Sequence, residues 1–216
     1  MNKFSWPLFN AMPIVAIGRN LEAEDLQAFL PGFLAGGLST LEITLNSPNA
    51  SALIEALSEE YQGQLNIGAG TVRNMDDLEI ALKAGASFIV TPILDEAVIK
   101  ECLRLQIPVF PGAFSPTEIY KAWDLGATMI KVFPASAVGP DYLKNILAPL
   151  NNLELLPTGG VNLDNIPAYF KAGARGFGIG SPLFDKKLIE EKDWEGLREH
   201  FAKFTQLIQE LTEGKK

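Results

Sequence analysis

The sequence of 216 residues predicts a (β/α)8 barrel, with residues 1–216 forming a single domain. Three observations favour this fold. Eight short apolar segments have the composition of buried strands, and helical patterns separate them. Four of the segments follow a glycine that suits the position after a helix end, namely Gly37, Gly85, Gly126 and Gly173. Alternating strands and helices are typical of a parallel sheet, and eight units in about 200 residues match a small closed barrel.

The predicted elements alternate along the whole chain. Strands are expected at 13–17, 38–45, 65–68, 107–110, 127–134 and 153–157, and within 83–92 and 171–180. Helices are expected at 22–36, 49–61, 75–84, 95–105, 116–125, 140–148, 163–172 and 194–212. An open, doubly wound sheet is the competing arrangement. The first turn, Gly18-Arg19-Asn20, lacks the glycine fingerprint of dinucleotide-binding sheets, which favours the barrel.

The composition argues against several classes of partner. A net charge of −8 and an isoelectric point of about 4.8 argue against nucleic acid and anionic membranes. No apolar run reaches the roughly 18 residues of a membrane span. With one cysteine, Cys102, and one histidine, His200, the chain cannot build a Cys/His metal cluster, and we expect no metal ion. The single cysteine fits a reducing compartment, so we expect a cytoplasmic protein.

Two charged residues interrupt predicted buried strands. Lys131 lies within 127–134, and Glu42 interrupts 38–45 in the same way. Burying an ammonium group is costly, and a buried amine of lowered pKa is the nucleophile that forms Schiff bases with carbonyl substrates. Taken alone, Lys131 could instead reach solvent at a strand end or pair with a structural carboxylate. The two anomalies together suggest one catalytic site.

The alternation of side chains along each strand supports this interpretation. Residues two positions apart share a strand face, so Glu42 points with Thr44, and Lys131 points with Phe133. The intervening aliphatic residues face the helices. Such phasing predicts a site that faces the barrel interior.

The carboxyl ends of barrel strands usually carry the active site. Glycine-rich segments follow the seventh and eighth predicted strands, at 158–160 and 178–181. Barrels often bind a phosphate with these two loops, because glycines expose backbone N–H groups. The alternative is that the glycines only turn the chain, in which case the substrate is unphosphorylated.

The chain resembles a known family, the 2-keto-3-deoxy-6-phosphogluconate (KDPG) aldolase / 4-hydroxy-2-oxoglutarate aldolase family. Its members are lysine-dependent class I enzymes with a (β/α)8 fold. The resemblance spans about residues 13–184. Six motifs carry it: Leu41-Glu42-Ile43-Thr44, Gly68-Ala69-Gly70-Thr71-Val72, Val90-Thr91-Pro92, Lys131-Val132-Phe133-Pro134, Pro157-Thr158-Gly159-Gly160-Val161 and Gly178-Ile179-Gly180-Ser181.

The resemblance implies a role for each residue of the site. Lys131 would form the Schiff base, Glu42 would be the general acid and base, and Arg19 and Thr71 would hold the carboxylate of the pyruvate moiety. The remaining substrate-binding residues would line the site or bind phosphate: Pro92, Phe133, Thr158, Gly159, Gly160, Gly180 and Ser181. The family chemistry needs no cofactor, and the resemblance implies a homotrimer, which the apolar segments around Phe110, Phe114 and Trp123 support.

The expected reaction is cleavage of KDPG to pyruvate and glyceraldehyde 3-phosphate. The chain departs from some members at Asn46, where they carry an arginine for the carboxylate, so we assign that role to Arg19. The segment 45–48 resembles the branch acting on the galactonate epimer, which leaves 2-keto-3-deoxy-6-phosphogalactonate and 4-hydroxy-2-oxoglutarate as alternative substrates. Two other classes stay open: a barrel isomerase or lyase that uses Lys131 only as a cation, and a non-catalytic binding barrel.

Overall fold

The computed structural model describes residues 3–214. Its strands are β1 (Ile14–Gly18), β2 (Thr40–Thr44), β3 (Asn66–Gly70), β4 (Ile89–Val90), β5 (Val109–Phe110), β6 (Gly112–Ala113), β7 (Ile130–Val132), β8 (Leu155–Pro157) and β9 (Phe177–Ile179). Its helices are α1 (Trp6–Ala11), α2 (Ala23–Ala35), α3 (Ala50–Glu60), α4 (Met75–Lys83), α5 (Glu96–Arg104), α6 (Pro116–Asp124), α7 (Gly139–Leu147), α8 (Ile166–Lys171), α9 (Lys186–Glu190) and α10 (Trp194–Glu213), with a 3-10 turn at Ala135–Ala137. None of these helices is long and apolar enough to cross a membrane.

The strands form a closed parallel barrel. One sheet has the order β5-β4-β3-β2-β1-β9, and a second has the order β6-β7-β8. A parallel bridge between Thr158 and Gly178 joins β8 to β9. Segments β5 and β6 are two halves of the fifth barrel strand, because Pro111 between them has no N–H to donate. Eight strand positions therefore close the ring, and the predicted (β/α)8 fold is confirmed.

Local sequence features explain where several helices begin. The side chain of Asn74 accepts a hydrogen bond from the Asp77 N–H at the start of α4, and Asp95 does the same for Val98 at the start of α5. Ser115 begins α6 as part of a capping box. These caps satisfy N–H groups that lack partners within the helix.

The amino end of the barrel is closed by α1, which the sequence analysis did not predict. Phe9 of α1 is buried against Phe88 and Phe110 inside the barrel, and Phe4 packs beside it. The Ser5 N–H donates to Asn66 Oδ1 at 2.7 Å, where β3 begins. A separate, larger apolar core fills the space between the strands and the outer helices. The interior of the barrel is therefore packed below the level of the candidate site.

Candidate active site

A cavity of about 550 Å³ lies at the carboxyl ends of β1, β7, β8 and β9. These four strands are neighbours around the barrel. The cavity wall contains eight of the predicted site residues: Arg19, Lys131, Phe133, Thr158, Gly159, Gly160, Gly180 and Ser181. The fold thus brings together residues that lie more than 160 positions apart in sequence.

Lys131 lies in the middle of β7, which pairs with β6 and β8. Only 6% of the residue is exposed, and its Nζ lies 5.0 Å from the centroid of the Phe133 ring. Burial lowers the pKa of Lys131, the charge of Glu42 opposes this shift, and the charge of Arg19 adds to it. The neutral, nucleophilic amine is favoured as a result.

Glu42 lies in the middle of β2 and is 1% exposed. Burial raises the pKa of this carboxyl group, and the charges of Lys131 and Arg19 act in the opposite direction. Its Oε2 atom is buried and receives no hydrogen bond from residues 3–214. A carboxyl group with a raised pKa and a free oxygen is suited to accept a proton and return it.

The Glu42 carboxyl group fits in the barrel because residue 70 is glycine. A Cβ atom at Gly70 would lie 1.7 Å from Glu42 Oε1. Gly70 pairs with Thr44 in the β2–β3 register, so the two strands meet where the acid side chain turns inward. The glycine in the Gly68-Ala69-Gly70 segment therefore has a steric role that a sequence pattern alone does not show.

The loop after β8 presents backbone donors to the cavity. Gly159 and Gly160 have φ angles of +89° and +79°, a conformation that favours glycine. The loop is fixed because Gly159 O accepts from the Ser136 N–H at 2.9 Å and Gly160 O accepts from Asn165 Nδ2 at 2.8 Å. The bridge between Thr158 and Gly178 involves the Gly159 N–H, whereas the N–H groups of Gly160 and Ser181 have no backbone acceptor within the described part of the chain. Such donors are suited to bind an anion.

Comparison with protein families gives an independent result. The family model for the KDPG and KHG aldolases matches residues 8–199, which is most of the chain. The chain belongs to this family. The predicted resemblance is confirmed.

Individual relatives cover most of the chain. The 2-dehydro-3-deoxy-6-phosphogalactonate aldolase of Escherichia coli (strain K12) is 33% identical over 174 residues, which are 80% of this chain and 85% of the relative. The 2-dehydro-3-deoxy-phosphogluconate aldolase of Pseudomonas aeruginosa (strain PAO1) is 35% identical over 184 residues, covering 85% of this chain and 82% of the relative. The crystal structure of KDPG aldolase from Legionella pneumophila, with pyruvate captured as a covalent carbinolamine intermediate, has a TM-score of 0.83 at 29% identity and covers 90% of this chain and 95% of that one.

Three predicted site residues of the aldolase chain, Glu42, Thr71 and Pro92, are not among the residues that line the cavity. Thr71 follows β3 directly after Gly70, with φ at +58°, and Pro92 follows β4, where its carbonyl group faces Gly112. Both are half-buried. Thr71 lies next to the glycine that contacts the Glu42 carboxyl group, on the far side of Glu42 from β1. Their roles in substrate binding stay predictions.

The cavity also has a wall that the sequence analysis missed. Pro182, Phe184, Lys186, Ile189 and Glu190 line it from the turn after β9 and from α9. Lys186 Nζ lies 3.3 Å from Glu190 Oε1. The signal was present in the sequence, since Asp185 is a good helix start and Lys186 and Glu190 are four residues apart. Because α9 has only five residues, this spacing was too short to predict a helix.

Proposed function

We propose that this family member is a class I aldolase that cleaves KDPG to pyruvate and glyceraldehyde 3-phosphate through a Schiff base on Lys131. The observation that carries the proposal is a buried lysine of lowered pKa that is electrostatically coupled to a buried glutamate of raised pKa. Lysine is the side chain that forms covalent imines with ketones, and burial provides its neutral form. The names of the relatives support the same reaction class.

Imine formation begins with attack of the Lys131 Nζ atom on the C2 ketone. Proton transfer gives a carbinolamine, and loss of water leaves an iminium ion. Arg19 lies on the same cavity and would hold the carboxylate next to the ketone by charge-assisted hydrogen bonds. The L. pneumophila relative holds pyruvate as a carbinolamine, which is the first covalent intermediate of the proposed reaction.

Carbon–carbon cleavage then uses Glu42. As a carboxylate, and through a water molecule, it removes the proton of the C4 hydroxyl group. The electron pair of the C3–C4 bond moves into the iminium, which releases the aldehyde and leaves the enamine of pyruvate. Glu42 returns a proton to C3, and hydrolysis frees pyruvate and the amine. The iminium itself accepts the electron pair, so the proposed steps need no metal ion or organic cofactor.

The phosphate would bind at the other end of the cavity. The N–H groups of Gly160 and Ser181 lie there, and Lys186, paired with Glu190, is on the same wall. A protein of net charge −8 needs such local donors to attract a dianion. The glycine turn and Ser181 therefore favour the phosphorylated substrate over 4-hydroxy-2-oxoglutarate.

The substrate has two candidate epimers, the gluconate and the galactonate compound. Relatives that act on the gluconate and the galactonate compounds are 35% and 33% identical to this chain, so similarity does not separate them. We retain the gluconate as the first candidate. Rates of pyruvate release from the two phosphorylated epimers and from 4-hydroxy-2-oxoglutarate, measured side by side, decide between them.

We also propose a cytoplasmic homotrimer. Of the residues that suggested an interface in the sequence, Phe110 is buried inside the barrel and Trp123 packs against the outer core, whereas Phe114 is 40% exposed. The expectation was therefore wrong for Phe110, whereas Trp123 is only partly buried and keeps some of its surface exposed. Ile93 and Tyr120 are also exposed, at 54% and 49%, and exposed apolar side chains of this kind support an interface. Sedimentation as a 23.5 kDa monomer at micromolar concentration would contradict the trimer.

Borohydride reduction in the presence of pyruvate tests the covalent proposal. A Schiff-base enzyme gains a permanent pyruvyl adduct, and peptide mapping should place it on Lys131. A barrel that uses Lys131 only as a cation, or that only binds a ligand, gains no adduct. Turnover of KDPG without any trapped lysine would therefore refute the mechanism.

A further inference from the structure

The loop that carries Arg19 is held by a side chain from another loop. Arg19 follows β1, and the next residue, Asn20, has φ at +52°. The Asn20 N–H donates to Ser47 Oγ at 2.9 Å. Asparagine adopts this backbone region more readily than other non-glycine residues, but a contact that holds it there still fixes the turn. The Ser47 hydroxyl group is the contact that does so in this structure.

Ser47 is in turn fixed to the end of β2. It is 9% exposed, and its N–H donates to Thr44 O at 2.9 Å. Its Oγ lies 2.8 Å from Thr44 Oγ1. Thr44 is fully buried and lies two residues after Glu42 on the same strand. A short chain of hydrogen bonds therefore connects the strand that holds Glu42 with the loop that holds Arg19.

This connection also distinguishes Ser47 from its neighbour Asn46. Asn46 is exposed and is not among the residues that line the cavity. The loop after β2 instead supplies the acceptor that fixes the backbone beside Arg19. Arg19, which would bind the carboxylate, thus follows β1, and Ser47, which fixes the backbone beside it, follows β2.

We propose that Ser47 is a positioning residue that sets the place of Arg19 and thereby the affinity of the enzyme for the carboxylate of its oxo-acid substrate. The inference rests on the proposed function, because it takes Arg19 as the carboxylate ligand. Arg19 also lowers the pKa of both Lys131 and Glu42 through its charge. A displaced Arg19 therefore weakens substrate binding and changes the pH dependence together.

Ser47→Ala is the central variant. Without the hydroxyl group the Asn20 N–H loses its acceptor, and the loop relaxes. We expect the KM for KDPG and the pyruvate concentration needed for half-maximal trapping to rise about five- to tenfold, the order set by one hydrogen bond, with kcat nearly unchanged. Because Arg19 lowers both pKa values, the acidic limb of the kcat/KM profile should move to higher pH.

Ser87→Ala is the matched control. Ser87 is also a buried serine, and its Oγ donates to Ile67 O at 2.8 Å, but it precedes β4 at the opposite end of the barrel. It should lose a similar amount of thermal stability while its KM and pH profile stay at the wild-type values. Equal changes in KM for both serine variants would show a general loss of packing and overturn the proposal.

A double mutant tests whether Ser47 acts through Arg19. In an Arg19→Ala background, Ser47→Ala should change KM by less than about twofold, because its effect has already been removed. Additive effects would overturn the proposal. If Ser47→Ala does not fold, Ser47→Cys replaces the hydroxyl group by a thiol, which is a weak acceptor, and an unchanged KM there would overturn the proposal. Absence of a pyruvate adduct on the wild-type protein would instead refute the proposed function.

Discussion

Replacing Gly70 with alanine tests whether the position of the Glu42 carboxyl group limits catalysis. A Cβ atom at residue 70 would lie 1.7 Å from Glu42 Oε1 and 2.3 Å from its Cδ. Non-bonded carbon atoms pack at about 3.5 Å, so the carboxyl group has to move by roughly 2 Å. The backbone of Gly70 is an ordinary strand conformation, so alanine adds no dihedral strain of its own.

The expected loss is large for catalysis and moderate for stability. Displacing a positioned acid and base group costs about 10²–10⁴-fold in rate, so kcat should fall by that order. Overpacking of a buried position should lower the free energy of unfolding by about 1–3 kcal/mol. Initial rates of pyruvate release and denaturant-induced unfolding measure the two effects separately.

Gly68→Ala supplies the control on the same strand. The nearest atoms to its Cβ would be those of the Phe88 ring, at 2.4 Å, and not those of Glu42, so it overpacks the barrel interior against a different side chain. We expect a comparable loss of stability with kcat within about threefold of the wild type. Equal losses of kcat in both variants would show that barrel distortion, and not the Glu42 position, is responsible. A Gly70→Ala enzyme with near-normal kcat would also refute the argument.

Lys131→Met should abolish turnover and pyruvate trapping while the chain still folds, because methionine has no nucleophilic nitrogen; substantial remaining turnover would contradict the Schiff base. Arg19→Ala should raise KM for oxo acids about tenfold, with little change in the free energy of unfolding because the residue is exposed. An unchanged KM would indicate that Thr71 binds the carboxylate instead. Lys186→Gln should raise KM for KDPG about threefold and leave KM for 4-hydroxy-2-oxoglutarate unchanged, whereas Lys187→Gln, outside the cavity, should alter neither. Activity should decline as pH falls through the lowered pKa of Lys131, because protonation removes the nucleophile, and this limb should lie at higher pH in Arg19→Ala.

The fold and the centre of the site were predictable because their signals are local. Apolar strand segments, helix-ending glycines and the alternation around Glu42 and Lys131 all extend over a few residues. The glycine loops at 158–160 and 178–181 could likewise be placed by their position after a strand. The structure brings Lys131 and both glycine loops to one cavity, and it places Glu42 close enough to Lys131 for their charges to interact.

The remaining features depend on contacts between distant segments. The hydrogen bond from the Asn20 N–H to Ser47 Oγ joins residues 27 positions apart, and no repeating pattern in the sequence predicts it. The steric role of Gly70 becomes visible only when β2 and β3 are paired in register. Helices α1 and α9, with six and five residues, are too short to show a helical period.

Helix α1 has a consequence for the chemistry at the other end of the barrel. Phe9 and its aromatic neighbours fill the interior at the amino end, in one buried cluster with Met129, which lies two residues before Lys131. The lowered pKa of that lysine depends on keeping its surroundings dry. A segment more than 120 positions away in sequence therefore helps to keep the amine reactive, and substrate, aldehyde and hydrolytic water share the opening at the carboxyl ends of the strands.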